Sequence, residues 1–253
     1  MKTQIQKSEV LTTLLKSFGL IALMFIVTFT TSCDRDNDDT PDLVEISEED
    51  AVDVIEGALT MNTEGLVSEV ENASEVADKY AEKTLSPCGV TFDSTFTVSR
   101  DNVFITASYT NILEWTVYCN NAEIPVSLDF GRESQGSYET TRMESFDASS
   151  STWNLDNLIL GTEYVLNGDY SRSGSQTSKV RDENSLTSTV EMSLTNLSVD
   201  KGSRRIQSGT ADVTISGQSS TGHNFSVEAE VIFQGNGSAI VVVNGNSYEI
   251  DLY

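Results

Sequence analysis

The feature that most restricts the fold of this chain is a two-residue period that begins near residue 88. Phe225, Val227, Ala229, Val231 and Phe233 alternate with Ser226, Glu228 and Glu230, and because successive side chains of a strand point to opposite faces, this spacing gathers the apolar groups on one side. Val190, Met192 and Leu194 repeat the pattern against Glu191, Ser193 and Thr195, as do Val90, Phe92, Phe96 and Val98 against Thr91, Asp93, Thr95 and Thr97. Strands with one wet face belong in antiparallel sheets. Asn244-Gly245 stands between two strand-like runs near the C-terminus, a pairing that favours a two-residue hairpin turn. The expected fold is mainly β: an antiparallel meander of about nine or ten strands forming a barrel or a sandwich.

Before residue 87 the period is helical. Ser47 precedes Glu48, Glu49 and Asp50, an N-cap followed by acids that favour the positive end of the helix dipole. Val52, Ile55 and Leu59 follow at helical spacing and predict a helix over about 47–60. Thr63 is read as the cap of a second helix, in which Leu66, Val70, Ala73, Ala77 and Tyr80 form one stripe and which Pro87 prevents from continuing. The expected divisions are 1–32, a signal peptide; 33–42, an acidic tether; 43–86, a helical hairpin; and 87–253, the antiparallel β domain.

The N-terminus speaks to location. Lys2, Lys7 and Lys16 precede an apolar run from Phe18 to Phe29, the charged and hydrophobic parts of an export signal, and the run is short of the roughly 20 residues a membrane-spanning helix takes. Thr30-Thr31-Ser32-Cys33 resembles a lipobox, although Thr30 stands where such sites usually carry Leu. Asp34-Arg-Asp-Asn-Asp-Asp39 directly behind it resembles the surface-export signal of Bacteroidota lipoproteins. That resemblance implies acylation at Cys33, anchoring through lipid, and an address in the outer membrane at the cell surface. With Cys33 removed, Cys88 and Cys119 are left as an even pair, which fits a disulfide in an oxidising compartment; a reduced pair is the alternative, and two thiols without a nearby His make a poor zinc site.

The charge narrows the partners. Without its first 32 residues the chain carries 12 basic and 38 acidic side chains, net −26, so no nucleic acid is expected to bind. The excess is concentrated early, with residues 34–83 holding 17 acids and 3 bases. Asp34, Asp36, Asp38 and Glu45 carry EF-hand-like spacing, but Asp39 occupies the position that needs Gly and no entering helix precedes them; no metal or other cofactor is expected.

Chemistry finds few candidates. The mature chain has a single histidine, His223, in a turn-like stretch, and no G-x-S-x-G motif. Glu228/Glu230 and Glu249/Asp251 are same-face neighbours, the pattern of any wet strand rather than of a glycosidase pair. Trp115 shares a face with Val117 and Cys119 and is assigned to the core. Trp153 follows the loop-like stretch 147–152 and is a candidate ligand platform, with anchoring of the next element as the alternative. Asp93-Ser94-Thr95 resembles the short acceptor motif for O-glycosylation in Bacteroidota, at Ser94. The expected function is that of a non-catalytic envelope lipoprotein, a binding or structural module for a protein or glycan partner; the alternative is a barrel carrying lipid or a small ligand.

Overall fold

The structure is a computed structural model in which residues 46–81, 87–180 and 184–253 are described. They belong to one compact unit, Pro41–Tyr253. Cys33, the acidic run 34–42 and the Asp34–Glu45 spacing lie outside the described residues.

Two helices open the fold. In α1 (Glu48–Leu59) the Ser47 side chain accepts a hydrogen bond from the Asp50 backbone N–H at 3.1 Å, so the expected N-cap is present. The second helix, α2, runs from Leu66 to Ala81. Thr63 does not cap it. Its hydroxyl turns back and donates to the carbonyl of Gly57 at 2.7 Å, covering a carbonyl at the end of α1, because the last carbonyls of a helix lack partners within it. Gly57 is held by close approach: a Cβ there would lie 2.2 Å from the Tyr138 hydroxyl.

Ten strands follow: β1 (Thr91–Asp101), β2 (Ile105–Cys119), β3 (Pro125–Thr140), β4 (Met143–Asp156), β5 (Glu163–Ser178), β6 (Ser185–Asp200), β7 (Ile206–Ser219), β8 (Asn224–Phe233), β9 (Ser238–Val243) and β10 (Asn246–Asp251). Each pairs antiparallel with its sequence neighbour in one sheet ordered β1 to β10, and β1 does not pair with β10. The sheet is an open meander. Asn244 and Gly245 form the β9–β10 turn with φ of 49° and 84°, the left-handed pair a type I′ turn requires.

The inner face of the sheet packs on the helices. The backbone N–H of Met61 donates to the carbonyl of Leu252, just past β10, while Glu64 accepts from Arg100 of β1. A flat sheet of ten strands would place its edges on the order of 40 Å apart, given about 4.8 Å between neighbours. Since one short turn reaches both edges, the sheet must curl around the hairpin. At its start, α1 is tied to the β9–β10 hairpin by Glu48, which accepts from Tyr248 and Asn246.

Sequence alternation describes β6 to β9 well. Leu186, Val190, Met192, Val213, Ile215, Val231 and Val241 are all buried facing the helices, and the acids between them are exposed. Cys88 and Cys119 form a disulfide joining the approach to β1 to the end of β2, with Cα atoms 5.7 Å apart. Trp115 is partly buried beside it; its indole N–H donates to the Tyr80 hydroxyl at 3.1 Å and its ring stacks on Phe92.

Two outcomes test this packing. Replacing both Cys88 and Cys119 by Ser should lower unfolding free energy by about 3–4 kcal/mol in the chain-entropy picture, since the bridge closes a 31-residue separation; denaturant titration of the oxidised parent and the variant reads the difference. Gly57→Ala, which an isolated helix would welcome, should instead destabilise by about 1–3 kcal/mol through overpacking against Tyr138.

Candidate functional site

The described chain places its bases unevenly. Within β2 to β10 the only basic residues are Arg132 and Arg172, and both point inward and are buried. Each meets the hairpin.

Arg172, on β5, sits where α1 ends. Its Nη1 donates to the carbonyl of Gly57 at 2.6 Å and its Nη2 to that of Thr63 at 3.0 Å, supplying the donors a helix C-terminus lacks. The charge is balanced by Asp147 of β4, 2.9 Å away. Tyr109 donates to the Asp147 carboxylate at 3.1 Å, and its oxygen accepts from Arg172 at 2.6 Å; Ser145 donates to the same carboxylate at 2.6 Å. Burial by itself would lower the Arg172 pKa, but Asp147 and the surrounding tyrosines hold it well above its usual value. Tyr138 is pushed up to about 12, chiefly by burial.

Arg132, on β3, meets the start of α2. Its Nη2 donates to Glu64 at 2.9 Å and, with Nε, to the Asn111 side-chain oxygen at 2.7 and 3.1 Å. Glu64 also accepts from Arg100 at 2.7 Å, so one carboxylate at 1 % side-chain exposure joins β1, β3 and the helical turn. One turn further, Glu69 is fully buried and accepts from Trp153 Nε1 at 3.3 Å and Ser149 Oγ at 3.4 Å. Burial raises its pKa; Arg132 and the donors from β4 pull the other way without cancelling the shift.

These groups share a single patch by strand register. Asn111, Ser134, Ser149 and Arg172 form one cross-strand row, and Leu113, Arg132, Ser151 and Tyr170 the next. The inner face is therefore divided, with a polar field on β2 to β5 and an apolar one on β6 to β9. Arg172 answers a helix end and Asp147, and Arg132 answers Glu64, so the charged residues of the field work as a set of cross-links. Among the described residues no group of three or more His, Cys, Asp or Glu side chains is placed to hold a metal ion.

The opposite face is built differently. A shallow hollow of about 760 Å³ crosses β2 to β7, and the acids that line it are Glu114, Glu133, Asp169, Glu191 and Asp212, separated by serines and threonines. With the two arginines turned inward, no base on these strands offsets the acids. The surface repels anions and offers hydroxyls and carboxylates to a ligand with donors.

The sequence candidates fall on both sides of the sheet. Trp153 is 2 % exposed and bonded to Glu69, so it is not an exposed platform: stretch 147–152 is the middle of β4, and its inward serines face a polar part of the hairpin. Ser94 is exposed on the edge strand β1. His223 is exposed in the β7–β8 turn, where its Nδ1 lies 3.0 Å from the Thr221 hydroxyl. Glu228, Glu230, Glu249 and Asp251 are exposed on outward positions of their strands.

Removing one partner of the central pair should cost far more than replacing both. Arg172→Met leaves Asp147 buried without its counter-charge and takes one donor each from the Gly57 and Thr63 carbonyls, an expected loss of about 3–5 kcal/mol; Arg172→Met with Asp147→Leu should recover part of it in denaturant titration. Glu69 supplies a pH test. A carboxyl whose folded pKa is raised holds its proton more tightly when folded, so stability is lost as pH rises from its ordinary value of 4.5. Glu69→Gln should remove that loss, so the variant gains on the parent as pH climbs from 4.5 toward neutrality, a trend thermal melts across the range would show. Comparison with protein-family models, curated proteins and solved structures finds no match to this chain.

Proposed function

We propose that the mature chain is a non-catalytic module anchored in the outer membrane through lipid on Cys33, displayed at the cell surface, and serving there as a binding or structural element toward a protein or glycan partner. The observation that carries this reading is the placement of Arg132 and Arg172. The two buried arginines, with Glu64 and Asp147, are engaged in fixing the hairpin to the sheet, as expected of a scaffold. The helices also occupy the inner face, the place where a lipid or small-ligand carrier would need room, and this supports the module over the carrier. What such a module presents outward is the face of acids and hydroxyls across β2 to β7, and its charge opposes nucleic acids and other polyanions.

The address is tested in cells. Blocking lipoprotein signal peptidase should make an unprocessed precursor accumulate, and Cys33→Ala should release the protein from the membrane fraction. Replacing Asp36, Asp38 and Asp39 with Ala should leave lipidation intact, because processing acts on the residues at and before Cys33, yet protect the protein from protease added to whole cells. Digestion as fast as that of the parent would show that the acidic run is not an export signal.

A further inference from the structure

Among the described residues, five polar groups in the interior field have no protein partner, Ser151 Oγ and four others. Arg132 Nη1, Asn111 Nδ2, Ser134 Oγ and Tyr170 Oη make no hydrogen bond within the described chain, although none of these residues is more than 5 % exposed. Buried polar groups are seldom left this way, since an unbonded donor has lost its solvent without replacement. Here the four are neighbours. Asn111 faces Ser134 across β2 and β3, and Arg132 faces Ser151, which faces Tyr170, with Cβ atoms of such pairs about 4.5–5.5 Å apart.

The direction of Arg132 narrows the place further. Its Nε and Nη2 are committed to Asn111 on the β2 side, and a planar guanidinium then carries Nη1 on its other side, toward β4 and β5. Glu69 lies over the same spot. Its two donors, Ser149 and Trp153, flank Ser151 on β4, and at 3.4 and 3.3 Å they are long enough to leave the carboxyl with capacity to accept. A donor from Arg132, a carboxyl oxygen from Glu69 and a hydroxyl from Tyr170 thus converge on the space between α2 and the sheet.

We infer that this field is an internal hydration site, in which an enclosed water molecule accepts from Arg132 Nη1, donates to Glu69 and is shared with the Tyr170 hydroxyl, and a second bridges Asn111 Nδ2 and Ser134 Oγ. Water fits because it donates and accepts at once and carries no charge into a region already holding Arg132, Glu64 and Glu69. Three partners is the usual number for a buried water, and domains of this size hold on the order of one per 27 residues. The hairpin is then joined to β3 and β5 through solvent as well as through ion pairs. Removing a water-bonding hydroxyl weakens the joint, whereas removing a hydroxyl without a partner would relieve it.

That sign difference is the test. The purified protein and its Tyr170→Phe variant are melted at one pH, and the parent is crystallised to a resolution at which ordered water is seen. The site requires that Tyr170→Phe lower the melting temperature, by about 2–4 °C for a chain of this length, and that the parent show enclosed water within about 3.2 Å of both Arg132 Nη1 and Tyr170 Oη. A melting temperature that rises or stays put overturns the inference. So does a crystal structure in which these two groups bond to protein atoms with no water between them.

Discussion

The contact of Arg172 with the end of α1 is the constraint on which the rest of the fold depends. A helix that stops inside a protein leaves carbonyls that water cannot reach. Here Gly57 in the last turn of α1 and Thr63 in the turn after it present theirs to the sheet, and a guanidinium meets them. A buried cation in turn needs a counter-charge, which Asp147 supplies, and that carboxylate needs donors, which Tyr109 and Ser145 supply. One helix end thereby dictates residues on β2, β4 and β5.

Such an arrangement is better at specifying geometry than at adding stability. Apolar contact is indifferent to small rotations, so a hairpin resting only on β6 to β9 could slide in its cradle. Arg172 has one placement that satisfies both carbonyls, and Glu64 has one that reaches Arg100 and Arg132 together. Buried ion pairs often contribute no more than apolar replacements of equal volume would. Their value in this protein is that they set where the hairpin sits and, through Met61 and Leu252, how far the sheet curls. The inward demand for arginine also leaves the outer face acidic.

Much of this architecture is legible in the sequence, and the illegible part has one cause. The helices, the β9–β10 turn and strands β6 to β9 follow from period and capping because they bury apolar groups against apolar groups. In β4 the rule inverts: Phe146 is 70 % exposed while Asp147 is 5 % exposed, since the strand faces a polar helix end. A reader following hydrophobicity sees a loop there, and so places Trp153 outside. Thr63 is misplaced for a related reason, its hydroxyl serving the end of one helix rather than the start of the next. Of the interior field, Glu69 left a trace, standing three residues after Leu66 on the apolar stripe of α2; Arg132 and Arg172 left another, as isolated bases in otherwise uncharged or acidic strands. Their partners come from 21 to 115 residues away, a separation that no local pattern encodes.

The central claim is that hairpin and sheet form one cooperative unit held through the polar field. Native-state hydrogen exchange measures this directly, because amides that open together share an opening free energy and a denaturant dependence. Amides of α1 and α2 are expected to exchange with the same free energy and slope as those of β3 to β5. Exchange of the helical amides through a separate, lower opening while the strands stay protected would contradict it, and the hairpin would then be an appendage resting on a sheet that folds without it.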